Sequence, residues 1–124
     1  MTERRKAPVR RVAGMPARSF APGAEIFRQG DDANGEAYLV HHGRVEVRRT
    51  VDGEERVLTT VGRGDLLGEV ALFRRGPHSA TAVAIEEVTL LVISADRLES
   101  IVRTHPDLAI AVIRQLARMA AREG

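Results

Sequence analysis

Apolar and polar positions alternate most clearly near residues 45–51, where Val45 and Val47, with Val51 beyond them, are separated by Glu46 and Arg48. A period of two turns one face of a strand into a core and the other to water. Asp52-Gly53 follows as a hairpin signal, so 54–61 is predicted to pair back across it. Shorter strand signals flank Pro22-Gly23 at 19–20 and 25–28, precede Gly43 at 36–42, and recur at 79–84 and 88–94. The run Gly30-Asp31-Asp32-Ala33-Asn34-Gly35 reads as a turn-rich loop. Many short strands at close spacing predict a mainly β fold, an antiparallel sandwich or barrel.

The pattern changes after Ser94, which is placed to cap a helix over 95–103. Pro106 suits the first turn of a second helix, continuing over 107–122. There Ala109, Val112, Leu116 and Met119 recur at three–four spacing, giving one apolar face for the barrel or for a partner. At the other end, residues 1–16 hold Pro8, Gly14 and Pro16 among scattered charges and predict little fixed structure. The expected organisation is a basic, flexible leader over 1–18 and one domain over 19–124, with the barrel at about 19–94 and helices at about 95–122.

Composition narrows the class. A chain of 124 residues, 44% hydrophobic and 29% charged, suits one folded domain. The absence of cysteine excludes disulfides and thiolate metal sites and fits a cytoplasmic location. The longest strongly apolar run, 88–93, is far short of a membrane span, and no apolar segment backs the basic N-terminus as in a secretory signal. Charge is uneven. Residues 1–18 hold six basic side chains against one acid, the remainder thirteen against sixteen. Such an arm can attach to nucleic acid or anionic lipid. With no aromatic residues interleaved, a solvated leader is the expectation and nucleic acid is not an expected partner.

The chemistry concentrates at 64–82, which reads as an anion cradle. Gly64 and Gly68 permit a tight path, and Glu69-Val70-Ala71-Leu72-Phe73 is long enough for one helical turn. The first N–H groups of such a turn point outward and suit a phosphate. Glu69 at its mouth can accept hydrogen bonds from ribose hydroxyls. At these residues the chain resembles the cyclic-nucleotide-binding domain family, of the catabolite activator protein and protein kinase A regulatory subunit type. Gly68-Glu69-x-Ala71-Leu72 and Pro77-x-Ser79-Ala80-Thr81 are similar to that family's phosphate-binding cassette. Pro22-Gly23-x-x-Ile26-Phe27, Tyr38-Leu39-Val40-x-x-Gly43-x-Val45-x-Val47 and Gly62-x-Gly64-Asp65 extend the likeness over about 19–122.

The resemblance implies an antiparallel jelly-roll barrel with a short cassette helix and C-terminal helices. It implies a ligand, cyclic AMP or cyclic GMP, held by Gly68, Glu69, Val70, Ala71, His78, Ser79 and Ala80, with Val47, Leu58 and Val61 against the base. It also implies a lid or dimer role for the last helix, an effector protein as partner, and a fuller helical segment before the barrel than 1–16 provides. One position departs: the family's cassette arginine is His78 here. Histidine has neither the bidentate fork nor the permanent charge of arginine. Losing a charge-assisted hydrogen bond costs roughly 1.5–3 kcal/mol. Three readings stay open: weak cyclic-nucleotide binding aided by Arg74 or Arg75, binding of another ligand, or a protein-interaction module without a ligand.

Catalysis is not expected. Successive strand residues His41 and His42 point to opposite faces and do not suit one metal, which also disfavours a metal-dependent jelly-roll enzyme. Asp32-x-Asn34-x-Glu36 lacks the acid of a calcium loop, where Gly43 stands. No G-x-S-x-G nucleophile motif occurs, and no helix-turn-helix is expected after the last helix. The reading is a regulatory sensor without cofactor or metal.

Overall fold

Two-residue turns and short strands build the molecule. In the computed structural model, Asp52 (φ 54°) and Gly53 (φ 79°) both take left-handed conformations. That pairing gives a hairpin turn matching the twist of its strands, here β5 (Val45–Val51) and β6 (Glu54–Val61). The structure describes residues 9–12, 14–72 and 75–123; the side chains of 9, 70, 115, 116 and 118–123 lie outside that description. The other strands are β1 (Val9–Val12), β2 (Met15–Phe20), β3 (Glu25–Phe27), β4 (Glu36–His42), β7 (Leu66–Leu67), β8 (Thr81–Ala84) and β9 (Val88–Ser94).

They form two antiparallel sheets, ordered β1-β2-β9-β4-β7 and β3-β8-β5-β6. This is the jelly-roll arrangement expected from the sequence. Gly43, at φ 93°, turns the chain from β4 to β5 so close to β9 that a Cβ would strike the Glu87 carbonyl. One core joins the two sheets through Phe20, Phe27, Tyr38, Val40, Val45, Val88 and Leu90. A second joins the first sheet to the helices through Met15, Ala17, Leu72, Leu91, Ile93, Ile101 and Leu108. β9 therefore feeds alternate side chains to each core, which is why 88–93 is apolar throughout.

Two expectations need correction. Of the expected leader, residues 1–8 and 13 lie outside the described residues, and 9–12 and 14–18 are not structureless. They supply β1 and most of β2, a hairpin whose second strand pairs with β9. Pro16 is tolerated because the ladder with β9 starts at Ala17, so no bond to that strand is lost. The first helix is also divided. A 3-10 turn (Ala95–Arg97) leads into α1 (Leu98–Thr104), and Ser94, extended at φ −97°, makes no side-chain capping bond.

α2 (Pro106–Glu123) runs as predicted, but its described face is turned by one residue. Leu108 and Ala111 are buried, Ala109 and Val112 lie at the flank, and Ile110 and Ile113 point outward. The side chains of Leu116 and Met119 lie outside the described set. Among the described residues no helix is long and apolar enough to cross a membrane.

Candidate functional site

The cassette is suspended between both cores. β7 pairs with β4 at Tyr38 and Leu39, and the chain turns at Gly68 (φ 71°) into a single 3-10 turn, Glu69–Leu72. Ala71 N–H closes that turn on the Gly68 carbonyl at 3.1 Å. Ala71 and Leu72 are buried, and Leu72 shares its cluster with Leu108 and Ala111 of α2. Glu69 stands in the first turn, partly exposed. The Val70 side chain and all of Phe73 and Arg74 lie outside the described residues, and Arg75 is exposed in the loop.

The closing segment is fixed by backbone bonds to the 30–33 loop. Gly30 N–H donates to the His78 carbonyl at 2.9 Å and His78 N–H to the Asp31 carbonyl at 2.8 Å. Ala33 N–H donates to the Gly76 carbonyl at 3.2 Å. The loop behaves as turn chemistry, with an Asp32 carboxylate oxygen accepting the Asn34 N–H at 2.9 Å. Ser79 is exposed and Ala80 buried. Gly68, His78, Phe27 and the turn thus converge at one place.

His78 is 9% exposed, with its ring stacked on Phe27 at 3.7 Å between centroids and 6° between planes. A Cβ at Gly68 would stand 3.4 Å from both His78 Cε1 and Phe27 Cε2, in van der Waals contact with the two rings, and it is the left-handed φ of 71° that favours glycine at the turn. Burial lowers the His78 pKa from the ordinary histidine value, against the opposing pull of Asp31 and Asp32. The imidazole is therefore mainly neutral at pH 7.

Positive charge reaches the cassette by another route. Arg49 Nε donates to the Ser79 carbonyl at 3.0 Å. Its neighbour Arg48 is engaged by Glu46 at 2.6 Å and Glu55 at 3.9 Å instead. Sequence reading named neither Arg49 nor Phe27 as site residues. Phe27 stood inside a matched motif without a signal separating core from site. Arg49 reaches Ser79 from thirty residues away in sequence, a contact that local alternation does not foretell.

The expected apolar wall divides. Val47 and Val61 pack partly buried against the inter-sheet core. Leu58 is 50% exposed, on an edge strand exposed along nearly its whole length. Val57 and Val51 are exposed as well. The histidine pair is split as well: the register of β4 against β9 shifts between Val40 and His42, leaving His41 at the irregularity.

Comparison with known proteins agrees with this architecture. The family model described as the cyclic nucleotide-binding domain matches residues 17–105. The chain is 33% identical over 104 residues to the CRP-like cAMP-activated global transcriptional regulator of Mycobacterium tuberculosis, covering 83% of this chain and 46% of that protein. It is 40% identical over 103 residues to the cyclic AMP receptor protein of Thermus thermophilus, covering 82% and 47%. It spans about half the length of these curated relatives. The crystal structure of Thermus thermophilus catabolite activator protein superposes with a TM-score of 0.74 at 35% identity, covering 88% of this chain and 51% of that one. With the matched model running from within β2 through the cassette to the end of α1, the chain belongs to the cyclic nucleotide-binding domain family.

Proposed function

We propose that this domain is a regulatory sensor without catalytic activity, binding cyclic AMP or cyclic GMP between the cassette and the wall formed by β5 and β6. The observation carrying this reading is the cassette itself, where the left-handed Gly68 leads into the single turn Glu69–Leu72 with Glu69 partly exposed at its start, inside the span that the family model matches. Glu69 would accept the ribose hydroxyls. Arg49, beside Ser79, would place a cation near the phosphate while His78 is neutral. The names of the relatives, a cAMP-activated regulator and a cyclic AMP receptor protein, favour cyclic AMP.

Transmission would run through Leu72, which belongs both to the cassette turn and to the cluster holding Leu108. A shift of the turn would repack α2, whose outward Ile110 and Ile113 would then meet a second copy of the chain or an effector protein. A cytoplasmic location suits such a sensor.

Calorimetric titration with cyclic AMP and cyclic GMP tests the reading. Saturable heat with either nucleotide is expected, weaker than for a site with an arginine fork. The stacking of His78 on Phe27 favours one alternative, an interaction module that uses the cassette position for packing. Absence of heat at millimolar nucleotide, in both the wild type and His78→Arg, would establish that alternative.

A further inference from the structure

A cleft of about 280 Å³ opens where the end of the first sheet meets α1, and none of the cassette residues lines it. Its charged lining residues are two arginines and one acid, Arg18, Arg97 and Glu36, and His105 lines it as well, counted as neutral. Arg18 is incompletely satisfied. Its Nη1 reaches Glu36 Oε1 at 3.4 Å and the Tyr38 hydroxyl at 3.5 Å, both long, while its Nε is buried with no hydrogen-bond partner among the described residues. A buried guanidinium N–H without an acceptor is uncommon and unfavourable. Ser94 also lines the cleft, and its hydroxyl does not cap the helical turn that follows.

We propose that this cleft binds a small monocarboxylate with an apolar body, at a site separate from the cassette. Arg18 lines the cleft, and a guanidinium presents planar donors that match a carboxylate. Glu36, close to the other side of Arg18, disfavours a dianion such as a phosphate monoester. Two arginines against one glutamate leave a single positive charge for a single negative one. Met15, Val92 and Ile101 line the same cleft and supply the apolar contact. The volume, at the low end for ligand sites, sets a small body. Since Arg18 and Glu36 belong to the sheet while Arg97 precedes α1, the ligand ties helix to sheet. The inference does not depend on cyclic-nucleotide binding.

The test is a two-dimensional NMR titration of the chain with sodium benzoate, with benzamide as neutral isostere and phenyl phosphate as dianion. Benzoate is expected to give saturable shifts at the Arg18 Nε–H resonance and at amides of β2 and α1, with benzamide at least about tenfold weaker and phenyl phosphate weaker than benzoate. Arg18→Gln should abolish saturation while cyclic-nucleotide titration is unaffected. Because Arg18 also contacts Glu36 and Tyr38, the exposed Arg97→Gln provides a second variant, expected to weaken benzoate by about threefold or more with unchanged melting. Benzamide binding as well as benzoate would overturn the proposal. So would a folded Arg18→Gln, or Arg97→Gln, that binds benzoate like the wild type.

Discussion

The His78 imidazole lies flat on Phe27 beneath Gly68, and its protonation is coupled to folding and, under the proposed function, to binding. Burial holds its folded-state pKa below the unfolded value of about 6.5. The unfolded chain therefore binds the extra proton first. Stability is intact above that value, declines as pH falls below it, and levels off below the folded-state pKa. Melting temperature measured from pH 8 to pH 5 should show this decline, and His78→Phe should reduce it. Binding has the opposite sign. A phosphodiester favours the imidazolium, so cyclic-nucleotide binding takes up a proton and affinity should rise as pH falls. The depressed starting pKa extends that rise below pH 6.5. His78→Arg should tighten binding by about tenfold or more and flatten its pH profile, while losing the ring stack and lowering the melting temperature. Glu69→Ala should weaken nucleotide binding with little change in melting. A large loss of stability with unchanged binding would identify a structural acid instead.

Among the elements, α2 separates what burial does from what exposure allows. Leu108, 1% exposed, anchors the helix, and Leu108→Ala should cost about 2–5 kcal/mol in denaturant unfolding. Ile113, 65% exposed, should tolerate alanine within about 0.5 kcal/mol. Ile113→Asp should shift sedimentation velocity towards a smaller species if a second copy covers that face. Equal sedimentation for wild type and Ile113→Asp would remove the dimer from the functional reading. Much of the element plan was legible in the sequence. Asp52-Gly53 marked its hairpin, Pro106 its helix, and the alternation at Val45 and Val47 its strand. The N-terminal hairpin was hidden because Pro8, Gly14 and Pro16 read as breakers, although Gly14 turns the chain and Pro16 precedes the part of β2 that pairs with β9. The phase of α2 was ambiguous because its sequence offers apolar residues on more than one face. Only the packing against Leu72 and Ile101 selects Leu108 and Ala111. Within the site, motif spacing brought out Gly68, Glu69 and His78. The stacking partner and Arg49 come from residues distant in sequence, and a single chain's local pattern carries no record of such pairings.

At the scale of the whole molecule, two cores share one strand. β9 is buried on both faces and flanked by β2 and β4, so its amides should be among the slowest to exchange with deuterium. Those of the exposed edge strand β6 should exchange much faster. The same placement imposes an order on synthesis at the ribosome. Ser19 pairs with Thr89 and Glu36 with Ser94, so β2 and β4 wait for partners made about sixty to seventy residues later. The β5–β6 hairpin and the cassette emerge before the strand that will support them. A nascent chain arrested before residue 88 would present two apolar strands with no central partner, the kind of surface that chaperones engage.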